Sequence, residues 1–149
     1  MLGSTTAAVQ ELQDATDLID ELAARRLGIN RTDLRCLSRL SARGPQTASE
    51  LAVAAGLTGG AMTTAVDRME RAGLVRRVRD TTDRRRVLVH LTDEAERLSA
   101  EIWGPIVADA HTELAGFTLA ELGVIERFLS VALANQRRHA ARLRTDLGT

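Results

Sequence analysis

The sequence predicts a mainly α-helical chain of six helices with one small β-hairpin. Three observations lead there. Apolar residues recur at three-and-four spacing along most of the chain, the period of a helix with one buried face. Two β-rich segments, residues 74–78 and 87–91, flank a turn crowded with arginine. Immediately before them, two short helical segments meet at a tight glycine-containing turn, the pattern of a helix-turn-helix. With two Phe, one Trp and no Tyr, the core is Leu, Val, Ile and Ala, which suits packed helices. At 149 residues the chain has the length of one domain with a real core.

The first helix spans residues 5–27, with Val9, Leu12, Ile19 and Leu22 on one side and Glu11, Asp14, Asp17 and Glu21 on the other. A helix this acidic is unsuited to DNA and is expected to pack on a partner surface. Gly28 ends it. Asn30 caps the second helix, with Asp33 near its positive end. Leu34, Leu37, Leu40 and Ser41 share a face, and Gly44-Pro45 stops it. Cys36 falls at the margin of that face as a small, half-buried residue. A reactive thiol needs a nearby cation to lower its pKa, and Arg35 and Arg39 point elsewhere on the helix.

Thr47-Ala48-Ser49-Glu50 is a capping box that starts the third helix, and Gly56 closes it. Thr58 caps the fourth. At 100° per residue, Met62, Ala65, Val66, Met69 and Gly73 form its core side. Gly60, Thr64, Asp67 and Arg71 lie opposite, flanked by Thr63 and Arg68. The outward face is therefore small at its start and cationic further on. Small residues let a helix N-terminus enter a major groove, where its N–H groups and Thr58 meet phosphates. Thr63 and Thr64 suit base edges or a thymine methyl group, and Arg68 suits guanine or phosphate. Gly59 and Gly60 cost helix propensity, less so in a first turn.

The hairpin loop holds Arg79, Asp80, Asp83, Arg84, Arg85 and Arg86. Three consecutive arginines repel one another, so folding alone does not account for them. An arginine at a hairpin tip fits the narrow, negative minor groove, and Asp83 is placed to orient a neighbouring guanidinium. Thr92 caps a fifth helix with Asp93 and Glu94 in its first turn and Ala95, Leu98, Ile102 and Ile106 on one stripe. Gly104-Pro105 predicts a kink over residues 101–105. Gly116 ends this helix. Thr118-Leu119-Ala120-Glu121 is a second capping box, and the sixth helix runs to about residue 144, with Leu122, Ile125, Leu129, Ala132 and Leu133 on one face. A helix-turn-helix followed by a basic hairpin is a winged helix-turn-helix.

Net charge is zero, yet it is unevenly spread. Residues 68–86 hold eight arginines against three acids, residues 1–21 hold five acids and no base, and residues 93–126 hold eight acids against Arg97. Such a molecule offers one surface suited to phosphate. All 20 basic residues are arginine, the side chain suited to bidentate phosphate and guanine contacts, although genome base composition produces the same bias. The single Cys36 excludes an internal disulfide and fits a reducing cytoplasm. No apolar run approaches the ~18 residues of a membrane span, and no signal peptide is expected. No nucleophile–base pair, paired-carboxylate motif or phosphate loop is present, so no catalytic residue is expected. His90, His111 and His139 are dispersed without metal-ligand spacing, so neither a metal nor another cofactor is expected.

Three stretches, in order, carry a family resemblance. Thr47-Ala48-Ser49-Glu50-Leu51-Ala52 is similar to "T-x-x-E-L-A". Val66-Asp67-Arg68-Met69-Glu70-Arg71-Ala72-Gly73-Leu74-Val75 is similar to "V-D-R-L-E-x-x-G-L-V". Asp80-Thr81-Thr82-Asp83-Arg84-Arg85-Arg86 followed by Val87-Leu88-Val89-His90-Leu91-Thr92 is similar to "D-x-x-D-R-R" then "V-x-L-T". Together the chain resembles the MarR (multiple antibiotic resistance regulator) family of winged-helix transcription factors over essentially its whole length.

The resemblance implies a cytoplasmic regulator, usually a repressor, that binds double-stranded DNA as a homodimer on a palindromic operator. It implies dimerisation through the terminal helices, residues 1–28 and 105–149, a DNA-binding lobe at 30–92 and a connecting helix at 93–104. The expected DNA-binding set is Thr47, Thr58, Gly59, Gly60, Thr63, Thr64, Arg68 and Arg71, with Asp83, Arg84, Arg85 and Arg86 in the wing. Asp83 and Arg85 match the family's wing aspartate and minor-groove arginine. The chain departs from the family pattern at Gly59, Gly60 and Thr64, which shifts the expected binding towards wing and phosphate contacts. Many members take a small organic effector in a cleft; here Trp103 is the lone aromatic candidate, and the effector-binding residues are not identified. The competing reading is a protein-interaction module that keeps the winged fold and has lost DNA readout.

Overall fold

The structure, a computed structural model, describes residues 2–146. The elements are α1 (Leu2–Arg26), α2 (Arg31–Arg43), β1 (Gln46–Thr47), α3 (Ala48–Ala55), α4 (Gly59–Arg71), β2 (Val75–Arg79), β3 (Val87–Leu91), α5 (Asp93–Leu114) and α6 (Leu119–Asp146). The chain divides after Ile102 into two compact units.

The first unit is a helical lobe with a three-stranded antiparallel sheet in the order β1-β3-β2. The expected hairpin is present, with Val75 opposite Leu91 and Arg79 opposite Val87. The strand β1 was not expected. Gln46 and Thr47 pair with Val89 and Leu88, so the residues that begin the capping box of α3 also extend the wing's sheet. Two residues are too few for any periodicity to announce a strand; only the neighbouring β3 makes them one.

Helix starts follow their caps. The Oγ1 of Thr47 accepts the Glu50 N–H at 3.2 Å, while the Glu50 carboxylate accepts the Thr47 N–H at 2.7 Å. Asn30 and Asp33 form the same reciprocal arrangement at α2. Thr92 caps α5 through the Ala95 N–H and also donates its hydroxyl to the Gly73 carbonyl at 2.7 Å, tying the start of α5 to the end of α4. That end turns at Gly73, whose φ of 73° lies in the left-handed region. The Leu74 N–H then bonds back to Met69 at 3.0 Å and the Gly73 N–H to Glu70 at 2.9 Å, closing the orphan carbonyls of the last turn.

The core gathers Leu51 of α3, Met62, Val66 and Met69 of α4, Leu74, and Val75 and Val89 of the sheet, all nearly sealed from solvent. Burying each such side chain contributes about 1.5–3 kcal/mol before entropy is counted. Leu34, Leu37 and Leu40 of α2 join it, whereas Ser41, expected on the same face, is exposed. Cys36 is fully buried rather than half-buried: α2 is covered more widely than its apolar stripe indicated. Helix α1 begins three residues earlier than expected and buries only its end, at Ala23 and Ala24.

The second unit comprises the rest of α5 and α6. Helix α5 is one continuous helical span through Pro105, which forfeits a bond to the carbonyl four residues earlier. Thr118 and Glu121 form the expected capping box. None of the described side chains of α6 is buried. No described helix is long and apolar enough to cross a membrane.

Candidate nucleic-acid interface

Helices α3 and α4 meet at Gly56 and Leu57, and the buried row Met62, Ala65, Val66 and Met69 seats α4 in the core. The opposite face is open. Thr58, Gly59, Gly60, Thr63, Thr64, Asp67 and Arg71 are all exposed. Thr58 caps the helix through the Ala61 N–H at 3.3 Å. The hydroxyls of Thr63 and Thr64 donate back to the carbonyls of Gly59 and Gly60, at 3.0 and 3.2 Å. With its hydrogen so committed, each exposed hydroxyl keeps lone pairs that can accept a further hydrogen bond. A Cβ added at Gly59 or Gly60 would meet nothing within 4 Å. The fold itself therefore does not require glycine there.

The wing is held by its two aspartates. Asp80 Oδ1 accepts the Thr82 N–H at 2.8 Å and the Thr82 hydroxyl at 2.6 Å. These bonds, the hydroxyl's first, hold the Asp80 carboxyl below its ordinary pKa. Asp83 Oδ1 accepts the backbone N–H of Arg85 at 3.0 Å. The sequence placed Asp83 to orient a guanidinium; it instead shapes the turn through the backbone, because the short side chain reaches its own chain two residues on before any guanidinium. The Arg86 N–H bonds the Asp83 carbonyl at 2.9 Å and the Asp80 N–H bonds the Arg86 carbonyl at 3.0 Å. The tip is thus a closed, four-residue turn presenting Arg84 and Arg85.

The arginines divide into two groups. Arg77 lies against α4, with Nη2 2.5 Å from Asp67 and Nη1 on Glu70. Arg86 reaches back to Glu50 at 3.1 Å, and Arg71 donates from Nε to the Asp67 carbonyl at 3.2 Å. Arg68 is engaged most deeply. Its Nε and Nη2 lie 2.5 and 2.7 Å from the two oxygens of Asp33, which is completely buried. This fork raises the Arg68 pKa above its ordinary value. Arg84 and Arg85, by contrast, like Arg76 and Arg79 of β2, are exposed and make no side-chain ion pair or hydrogen bond among the described residues.

So the expected set is only partly gathered into one surface. Thr58, Gly59, Gly60, Thr63, Thr64 and Arg71 share the outer face of α4, and Asp83, Arg84, Arg85 and Arg86 share the wing turn. Thr47 is half-buried, bound to Glu50 and paired in β1. Sequence reasoning missed Asp33, treated only as a partner of the helix dipole. Its spacing to Leu37 and Leu40 at four and seven residues was the available signal, since it puts the carboxylate on the core side of α2.

Comparison with known proteins agrees with this architecture. Residues 29–87 match the model of the MarR family. The chain is 33% identical to the HTH-type transcriptional regulator YcgE of Bacillus subtilis, over 91% of this chain and 88% of that one. A MarR family protein from Bacillus stearothermophilus is similar in structure, with a TM-score of 0.63 and 28% identity over 92% of this chain and 99% of that chain. A MepR mutant from S. aureus, bound to an oligodeoxyribonucleotide, shares the fold at a TM-score of 0.61 and 19% identity, covering 89% and 97% of the two chains.

Proposed function

As this chain belongs to the MarR family of transcriptional regulators, we propose that it acts as a homodimer that grips a palindromic DNA operator, represses transcription and is released by a small organic effector. One observation carries the reading: the wing turn presents Arg84 and Arg85 unpaired while Arg68, Arg77 and Arg86 are held by carboxylates. An arginine free of intramolecular partners at a braced tip is suited to a narrow minor groove. The small outer face of α4 supplies the major-groove partner.

Pairing two copies follows from the apolar side chains left open. Leu12, Leu18, Ile19 and Leu22 of α1, and Val124, Phe128, Leu129 and Leu133 of α6, are exposed in the single chain. Exposed apolar side chains repeated along each of these two helices are of the kind that mark an interface. A twofold would set the two α4 helices in major grooves about one helical turn, some 34–36 Å, apart.

The test is binding to duplexes selected from genomic fragments, titrated against salt. With about 6–10 phosphate contacts, affinity is expected to fall by ~10³–10⁵ between 50 and 200 mM salt. Arg85→Ala is expected to weaken binding by about 1–3 kcal/mol. Salt-insensitive binding, or an Arg85→Ala variant that binds like the parent, overturns the reading. Sedimentation of the free protein checks the dimer, and loss of the complex on adding phenolic or lipophilic compounds checks the effector.

A further inference from the structure

Arg68 stands beside the DNA-facing side of α4, one turn after Thr64, yet its guanidinium is turned inward. Nε and Nη2 form a two-pronged contact with the Asp33 carboxylate at 2.5 and 2.7 Å. Asp33 has no exposed surface and sits in the first turn of α2. One of its oxygens also faces the Asn30 N–H at 3.4 Å, so the carboxylate is itself fixed by the cap of α2. The buried residues of α4 are Met62, Ala65, Val66 and Met69, three of them unbranched or small, and on its outer side Asp67 and Glu70 are held by Arg77 of β2. An apolar stripe of this kind is non-directional and by itself leaves the roll of the helix less sharply fixed. A planar guanidinium against a planar carboxylate does not, because both prongs must stay aligned.

We infer that Arg68 is a positioning residue: its fork on Asp33 sets the roll of α4 and thereby the aim of Thr63 and Thr64 at the bases. This rests on the DNA-binding reading above. A recognition site must be held within about 0.5 Å and 10–20° to discriminate among ligands, and the Asp33–Arg68 pair is the directional contact that fixes α4 to α2. The Nε–Nη2 edge of Arg68 is committed to the buried carboxylate, so the role assigned to it is positioning rather than a base contact.

The experiment compares the full-length parent with Asp33→Asn and Arg68→Lys. Each is tested on a duplex selected from genomic fragments, on every single base-pair variant of that duplex, and on unrelated DNA, with folding followed by circular dichroism. Asp33 cannot touch DNA, and asparagine keeps its shape while losing the charge. Both variants are expected to lose about tenfold in the ratio of specific to non-specific affinity. The loss is expected to be spread over the base pairs under α4, with the salt slope and non-specific affinity of the parent retained. Parental discrimination in folded variants overturns the inference, since a merely structural role would lower the melting temperature alone. A loss confined to Arg68→Lys and to one base pair also overturns it, because that pattern marks a direct reader. If Asp33→Asn does not fold, Arg68→Lys decides by the same pattern, spread or single. Failure of the parent to bind any duplex specifically overturns the DNA-binding reading and this inference together, and is distinguishable because no variant is then involved.

Discussion

The Nη2 of Arg86 lies 3.1 Å from Oε1 of Glu50, joining the last wing arginine to the first turn of α3. The other Glu50 oxygen accepts the N–H and the hydroxyl of Thr47, and Thr47 pairs with Leu88 of β3. Wing, sheet edge and helix cap are thereby one local construction. Thr47→Ala removes the cap hydroxyl and is expected to lower stability by about 1 kcal/mol, a fall in Tm of about 2–4 °C for a chain of this size. Thermal unfolding followed at 222 nm checks it; an unchanged Tm would show that the β1 ladder alone holds the start of α3.

The same construction predicts acid sensitivity. Hydrogen bonds from Thr47, its N–H first, hold the Glu50 carboxyl below its ordinary value of 4.5, and the Thr82 hydroxyl does the same for Asp80 below 3.8. A carboxylate whose folded pKa is depressed adds stability above its unfolded pKa and loses it as pH falls through the folded one. Tm is therefore expected to be level near neutrality and to decline below about pH 4.5, less steeply in Glu50→Gln. A Tm that rises on acidification would contradict this.

Gly59 and Gly60 should reveal a conflict between stability and binding. A Cβ at either position meets no atom within 4 Å, so Gly60→Ala is expected to stabilise the free protein, by up to about 1 kcal/mol. The same methyl group stands on the face proposed to enter the groove, and DNA affinity is expected to fall. Calorimetry and DNA titration on one preparation test both halves; tighter binding by Gly60→Ala would place the DNA elsewhere on the helix.

Cys36 is expected to be inert in the folded protein. Burial, then the Asp33 charge, pushes its thiol above the ordinary value of 9.0, so the thiolate is scarce at pH 7. Because the folded pKa is raised, the associated stability is present below the unfolded pKa and lost as pH rises through the folded one. Thiol reagents should label Cys36 only as fast as the chain opens, and peroxide should leave DNA binding intact. Stoichiometric labelling within seconds under native conditions would refute this.

The core of the lobe gives the largest expected loss. Met69 has no exposed surface, and Met69→Ala is expected to cost about 2–5 kcal/mol. Denaturant unfolding measures it, and a cost under 1 kcal/mol would mean that the site collapses around the smaller side chain.

Much of this was legible along the chain. The caps at Asn30, Thr47, Thr58, Thr92 and Thr118, the stops at Gly56 and Gly73, the core row of α4 and the hairpin each depend on residues within about four positions of one another, where sequence spacing is spatial spacing. The resemblance to one regulator family rested on the same local motifs. What each arginine does was not legible. Arg68 and Asp33 are 35 residues apart and Arg86 and Glu50 are 36 apart; their pairing depends on how α2, α3, α4 and the sheet meet. Identical side chains in one basic stretch were thus sorted by tertiary structure into those, such as Arg68, Arg77 and Arg86, that bond a carboxylate and those, Arg76, Arg79, Arg84 and Arg85, that remain open. The physical reason is the range of the interactions: capping and amphipathic periodicity act within a turn of helix, whereas a guanidinium bonds whichever carboxylate the fold brings within reach.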